Sequence, residues 1–545
     1  MENNICYLRP NVVIEPLIQR WYAWSHLISP ATAAMNVVGR HLKIMNSYIQ
    51  SPSLHAAAVL NPKMKGGPFM DYGGGRVPEV KKLRDETMIR QSQLIELREA
   101  IVELDRMLKA EAKGFSLEAL YDRIPAILKG YVELVYDLNN CPSFRFFEHL
   151  LYKSRFYDKS VQSIALWVNN NDERPFCLST PRLNGPDVLH VKVPFDHPGI
   201  DTLARMKRGG GTIEEIASLL GINDEDRPLF DTFFTRQKHP AYRQYEGSKV
   251  RMRYFGHACI LIETNNVSVL VDPLISYYGY ESSVAHFSDV DLPDVIDYVL
   301  ITHNHQDHIL FETLLPLRHK IKNIIVPATN SGALQDPNLK LTFNNAGFDN
   351  VIEIGEMEEI RFKDCVITGV PFTGEHSDLA IKTKTCYHLS IKDFTFLFMA
   401  DSRVISSELY RHIKPLVKKV DVLFLGMECD GAPLSWLYGP LLSDDLPRDK
   451  DQSRRLSGSD YEKGISLVDI FRPRELYVYA MGQEPWLEFI SSIKYTSESH
   501  PIVQSNILVE ECMRRGIVAE RLYGEKELLY EPSKTLIDEL EHSDL

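Results

Sequence analysis

From His303 to His308 the chain reads His-Asn-His-Gln-Asp-His, directly after an apolar β-type run over residues 298–302. A strand ending there delivers three imidazoles (His303, His305 and His308) and one carboxylate (Asp307) to a single point. Four potential ligands in six residues at a strand end make a metal-binding pattern rather than a histidine-rich surface turn. The alternation lets His303 and His305 grip one ion while Asp307 and His308 turn toward a second, so a two-metal site is expected.

The 545 residues are too many for one core, and two domains are expected, residues 1–247 and 248–545. A formal net charge of −13 argues against nucleic acid and against an anionic membrane as partners, since both require a basic surface. The first residues show no basic segment followed by an apolar one, and no run approaches membrane-spanning length, so a cytoplasmic location is expected. Eight cysteines stand singly, without a C-x-x-C pair, which reads as reduced, mostly buried thiols.

Residues 1–247 read as mainly helical. An amphipathic run starts at residues 14–22, and residues 33–49 continue at helical spacing until Pro52. The tracts Gly66-Gly67-Pro68 and Gly73-Gly74-Gly75 lack the context and the Lys-Ser/Thr ending of a phosphate loop and are expected to be plain loops. Residues 79–111 predict one long helix. Its stripe of Leu94, Leu97, Ile101, Leu104 and Leu108 either packs within its own domain or contacts a second copy. Residues 117–138 also read as helical, whereas residues 163–168 and 188–193 read as strands, so the domain is mixed. Residues 211–221 resemble the first helices of a helix-turn-helix, but the acidic segment 223–227 replaces a basic recognition helix and argues against DNA binding. Near Lys249 the texture changes to short β runs: 250–255, 259–263 and 267–271 as a meander, then 323–326, 366–370, 387–391, 394–399, 422–426 and 476–479. Residues 440–461 read as an exposed loop.

The histidine turn is the signature of the metallo-β-lactamase superfamily, which this chain resembles. The resemblance implies two β-sheets sandwiched between helices. A usual member completes the first metal with a third histidine; here the equivalent place offers Glu375 and His376, and the residues alone leave the two competing. The strand 394–400 ends at Asp401, where the superfamily places a carboxylate shared by two ions. A late histidine normally follows, but residues 480–486 read Ala-Met-Gly-Gln-Glu-Pro-Trp, which leaves open positions on the second metal able to accept dioxygen. Glu428, after the strand 422–426, is either a solvated turn residue or a support of the metal shell. Asp272 corresponds to a residue that orients a ligand histidine.

The long N-terminal domain, the histidine turn, Gly374-Glu375-His376, Met399-Ala400-Asp401 and residues 481–486 together resemble the diiron β-hydroxylases of nonribosomal peptide biosynthesis, the chloramphenicol-pathway enzyme among them. This resemblance implies an α/β fold: a C-terminal metallo-β-lactamase-type αββα sandwich behind a mixed, mainly helical N-terminal domain that dimerises and docks a carrier protein. It implies that His303, His305 and Glu375 hold one iron and Asp307, His308 and Asp401 the other, which settles the competition in favour of Glu375. Glu375, Asp401 and Glu428 are the residues expected at the reacting centre. Three histidines and three carboxylates form a hard, anionic set suited to oxidised iron. The implied activity is β-hydroxylation, with dioxygen as co-substrate, of an aminoacyl group carried by the thiolation domain of a nonribosomal peptide synthetase. The chain has no Gly-x-Gly-x-x-Gly fingerprint and no clustered cysteines, so an external electron donor is implied, and the family habit implies a homodimer. The rival is a dizinc hydrolase of an ester, lactone or phosphodiester.

Overall fold

Along the β runs beyond residue 250, side chains alternate between two separate cores, as a strand's period of two requires. Ile260, Ile262, Val269 and Val271 enter one core, and Leu261 and Leu270 between them enter another. Phe396, Phe398, Tyr477 and Tyr479 meet the first set from the opposite side, while Leu397, Met399, Leu476 and Val478 face away. Two sheets buried on both faces follow directly. The computed structural model describes residues 5–171, 173–240, 242–279 and 281–531.

Each of these sheets has seven strands. The first runs, in spatial order, Val351–Ile354, Ile321–Pro327, Ile296–Leu300, Ser268–Val271, Ile260–Glu263, Val250–Tyr254 and Lys526–Tyr530. The second runs Glu359–Phe362, Cys365–Val370, Cys386–Ile391, Phe394–Phe398, Val422–Gly426, Glu475–Tyr479 and Val518–Arg521. Helices Ser407–Val417, Tyr461–Phe471 and His500–Arg514 cover the outer face of the second sheet. Strands Ser268–Val271, Ile296–Leu300 and Ile321–Pro327 are mutually parallel, as are Phe394–Phe398, Val422–Gly426 and Glu475–Tyr479. The loops after their carboxyl ends carry Asp272, His303, Asp401, Glu428 and Ala480, so parallel pairing gathers the chemistry-bearing residues.

The outer face of the first sheet shares its core with the N-terminal part. That part holds a four-stranded antiparallel sheet, Trp21–Tyr22, Val12–Ile18, Gln162–Val168 and Leu189–Val191, and helices that include Val77–Arg90 and Ser92–Glu111. No helix among the described residues is long and apolar enough to cross a membrane. All eight cysteines are free, five of them buried.

Four expectations need correction. Residues 14–22 are not an amphipathic helix: Val12–Ile18 is a fully buried central strand, in which Glu15 pairs with Arg182 at 2.7 Å. Its β-branched residues suit that pleat, and Glu15 and Pro16 disguise the apolar run. Residues 79–111 form two helices, broken at buried Gln91. Residues 117–138 contain a 3-10 turn and the strand Val132–Tyr136 instead of a helix. The stripe bears out packing within its own domain: Leu97, Ile101, Leu104 and Leu108 are at most 2% exposed, and Leu94 is partly buried against the same core. The 440–461 segment also carries a short helix, Arg448–Ser453.

Candidate metal centre

The strand Ile296–Leu300 ends at a turn that packs without slack. Thr302 donates its backbone N–H to Asp272 Oδ1 at 2.8 Å and its hydroxyl to Oδ2 at 2.5 Å. The same carboxylate lies 2.8 Å from His308 Nδ1, which fixes that ring and points Nε2 the other way. Asp272 is fully buried at φ +39°, so it serves this turn alone. The expected orienting role of Asp272 is what the geometry displays. Ser25, from the N-terminal part, donates to Asn304 inside the turn and braces it from outside the sandwich.

Three sets of donor atoms converge: His303, His305 and Glu375; His303, His308 and Asp401; and His257, Asp307 and His308. Within the first, His305 Nδ1 is 3.2 Å from Glu375 Oε1. In the second, Asp401 Oδ2 stands 3.2 Å from His308 Nε2 and 3.8 Å from His303 Nε2, so one carboxylate faces both histidines. In the third, His257 Nε2 is 3.5 Å from Asp307 Oδ2. The His303 and His308 rings are tilted by 45° with centroids 4.0 Å apart.

The electrostatics fit a cation shared by these groups. Burial alone would raise Glu375, but the His305 and His376 imidazoles hold its carboxyl well below the usual range. Burial likewise opposes charge on Asp307, and His257 and His308 bring it down. Burial drives His303 toward the neutral form, the form that ligates metal. Among buried atoms without a hydrogen-bond partner are His303 Nε2, His257 Nε2 and Asp401 Oδ1. Orphaned donor atoms are costly in a core, and a metal pair satisfies them together. The residues present therefore fit two ions.

His376 is 1% exposed, stacks on His305 at 4.5 Å and belongs to none of the three sets. Its Nδ1 lies 2.8 Å from Glu375 Oε2, so it flanks the carboxylate. Glu428 also stands outside the sets. It accepts from the Tyr495 hydroxyl at 3.1 Å, and burial, then the Asp401 charge, push its carboxyl up to about 8. Glu428 lines a cavity of about 410 Å³ with His305, Asp307, Glu375 and Asp401, so it faces the donor groups across open space.

Sequence reasoning missed His257. Its backbone N–H donates to Glu484 Oε1 at 3.1 Å, its carbonyl accepts from Ala480 N–H at 2.9 Å, and its Nδ1 accepts from Gly482 N–H at 3.2 Å. The loop 480–484, where a late histidine was absent, instead fixes a histidine from the opposite sheet. The available signal was Gly256-His257, a positive-φ turn directly after the first strand of the sandwich.

Comparison with known proteins agrees with this architecture. Residues 7–238 match the family model "Diiron non-heme beta-hydroxylase N-terminal domain", and residues 268–432 match a β-lactamase superfamily domain. The 4-amino-L-phenylalanyl-[CmlP-peptidyl-carrier-protein] 3-hydroxylase of Streptomyces venezuelae is 38% identical over 524 residues, which cover 95% of this chain and 98% of that protein. The crystal structure of CmlA, a diiron β-hydroxylase from Streptomyces venezuelae, superposes with a TM-score of 0.90 at 37% identity, over 96% of this chain and 99% of that one. A metal-dependent hydrolase of Rhizobium johnstonii is 36% identical, but only over 63 residues, 11% of this chain and 24% of its own length. A relative matched almost end to end, together with a family model for the N-terminal part, places this chain in the diiron non-heme β-hydroxylase family.

Proposed function

We propose that this protein is an oxygen-dependent diiron monooxygenase that hydroxylates the β-carbon of an aminoacyl group tethered to the carrier domain of a nonribosomal peptide synthetase. The observation that carries the reading is the buried set of orphaned donor atoms on the wall of a cavity, in a chain 38% identical to a hydroxylase named for a carrier-bound substrate. His303, His305 and Glu375 would hold one iron, and Asp307, His308 and Asp401 the other. His257 borders the second. Once bound, the iron pair supplies the activation of dioxygen that hydroxylation of an unactivated C–H bond requires.

The chain's own residues do the rest. Asp272 and Thr302 hold the turn, and Asp272 fixes the ring of His308. Glu428, held by Tyr495, offers a carboxyl to a group in the cavity. The cavity wall excludes bulk water from the donor groups, which are at most 6% exposed at His303, His305, His308 and Glu375. The dizinc hydrolase reading is the weaker one, since the similarity to a metal-dependent hydrolase spans only 63 residues and the donor set is rich in carboxylates.

Residues 1–247 form the docking domain in this reading and residues 248–545 the catalytic one. The active species is a homodimer joined through the N-terminal part, where Met88, Ile89 and Phe115 are exposed apolar side chains. Electrons come from an external donor, and the free thiols suit the cytoplasm. The functional test is a single turnover: reduced enzyme, dioxygen and an aminoacyl carrier protein, with mass spectrometry of the carrier-bound residue. A gain of one oxygen atom on the tethered residue supports the reading. Hydrolytic release without oxygen incorporation refutes it.

A further inference from the structure

The cavity that opens from the donor groups is graded in charge. Its inner wall carries Asp307, Glu375, Asp401 and Glu428, and its rim carries Lys63, Lys65 and Arg455 with one carboxylate, Asp430. Glu375 is 6% exposed, whereas Lys63 is exposed, which fixes the direction of the gradient. A basic rim is unexpected on a chain of net charge −13.

The rim cations are only partly neutralised. Lys65 and Lys494 share one carboxylate, Glu488. Among the described residues Lys63 has no ion-pair partner. Across the mouth, Arg455 reaches Asp430 only at 3.6 Å. The lysines are held in place rather than left on a tether. Asn61 Oδ1 accepts from Lys63 N–H at 3.1 Å, and the Gly66 carbonyl accepts from Trp436 Nε1 at 2.8 Å. Gly66 sits at φ +72°, and a Cβ there would meet Ser492 at 3.2 Å, so the close approach of this loop to the catalytic part depends on glycine. The tract Gly66-Gly67-Pro68, a plain loop by its sequence, is thus the fixed edge of the cavity mouth.

We propose, building on the carrier-protein reading above, that Lys63 and Lys65 bind the phosphodiester of the pantetheine arm while its thioester end enters the cavity. An aminoacyl-pantetheine arm is anionic at its carrier end, which suits the lysines of the rim, while its uncharged middle runs inward toward the groups that would hold the iron pair. Lysine serves here as a point charge for phosphate, and two such groups at a partly desolvated rim give a charge-assisted contact that salt weakens.

The test measures binding of 4′-phosphopantetheine, pantetheine and inorganic phosphate to the full-length, iron-loaded protein by calorimetry at low salt. Wild type should bind the phosphorylated arm at least about tenfold more tightly than pantetheine, because the lysines hold its phosphate, and more tightly than inorganic phosphate, because the arm also fills the cavity. Lys63→Ala combined with Lys65→Ala should reduce that preference to under about threefold and leave pantetheine binding unchanged. Glu488→Gln should strengthen the preference, since it frees Lys65 and Lys494. Lys63→Ala alone, at an exposed position, carries the test should the double variant fold poorly. Equal affinity of wild type for the two arms, or a double variant that weakens both alike, overturns the proposal. The functional reading fails separately: an enzyme that prefers the phosphorylated arm yet hydroxylates no aminoacyl carrier protein keeps this site and loses that function.

Discussion

The two ligand sets proposed above are built differently. The first, His303, His305 and Glu375, is at most 6% exposed and closes on itself, with His376 stacked behind it. The second, Asp307, His308 and Asp401, keeps carboxylate side chains 20% and 13% exposed, beside His257, and Asp307 and Asp401 line the cavity. Only the second presents partly solvated ligand oxygens to an incoming molecule. The comparison teaches that the first position is the more enclosed, while the second combines a histidine fixed by Asp272 with carboxylates left partly open to the cavity.

Asp401 faces both positions, so Asp401→Ala should produce the largest effect: iron content falling from about two per chain to below about one, with hydroxylation lost by more than about a hundredfold. Iron analysis of the purified variant checks this, and retention of both irons would break the idea of a carboxylate serving the two positions. Glu375→Ala should empty the first position and leave about one iron per chain, whereas His376→Ala should keep about two. If His376→Ala empties the position and Glu375→Ala does not, the assignment reverses.

Asp272→Asn preserves shape and removes the charge that fixes His308, so iron affinity at the second position should fall about ten- to a hundredfold while the first remains filled. Equal loss at both positions in a competitive chelator titration would show that Asp272 holds the whole turn instead. His257→Ala should have the smallest effect, leaving iron content near two per chain but altering the spectrum of the second iron alone. A perturbed first iron, read by Mössbauer spectroscopy, would contradict its placement.

The histidine turn was legible because its ligands are local. Four ligands in six residues need no tertiary information, and Asp401 and Glu375 follow apolar strands that announce themselves. His257 was not, because a lone histidine after a strand carries no spacing, and its partners Ala480, Gly482 and Glu484 lie more than two hundred residues away. The sandwich was legible from alternation, but Val12–Ile18 was hidden: burial of Glu15 depends on Arg182 and Trp167, which no local pattern reveals. The break at Gln91 has the same origin, since no glycine or proline marks it and only packing decides it.

The most direct test of the whole account is the metal content of the purified full-length protein, measured by elemental analysis together with Mössbauer spectroscopy. The account predicts about two irons per chain in a coupled pair, with distinct environments for the more enclosed and the more open positions. Stoichiometric zinc, with hydrolytic activity and no oxygen uptake, would contradict it.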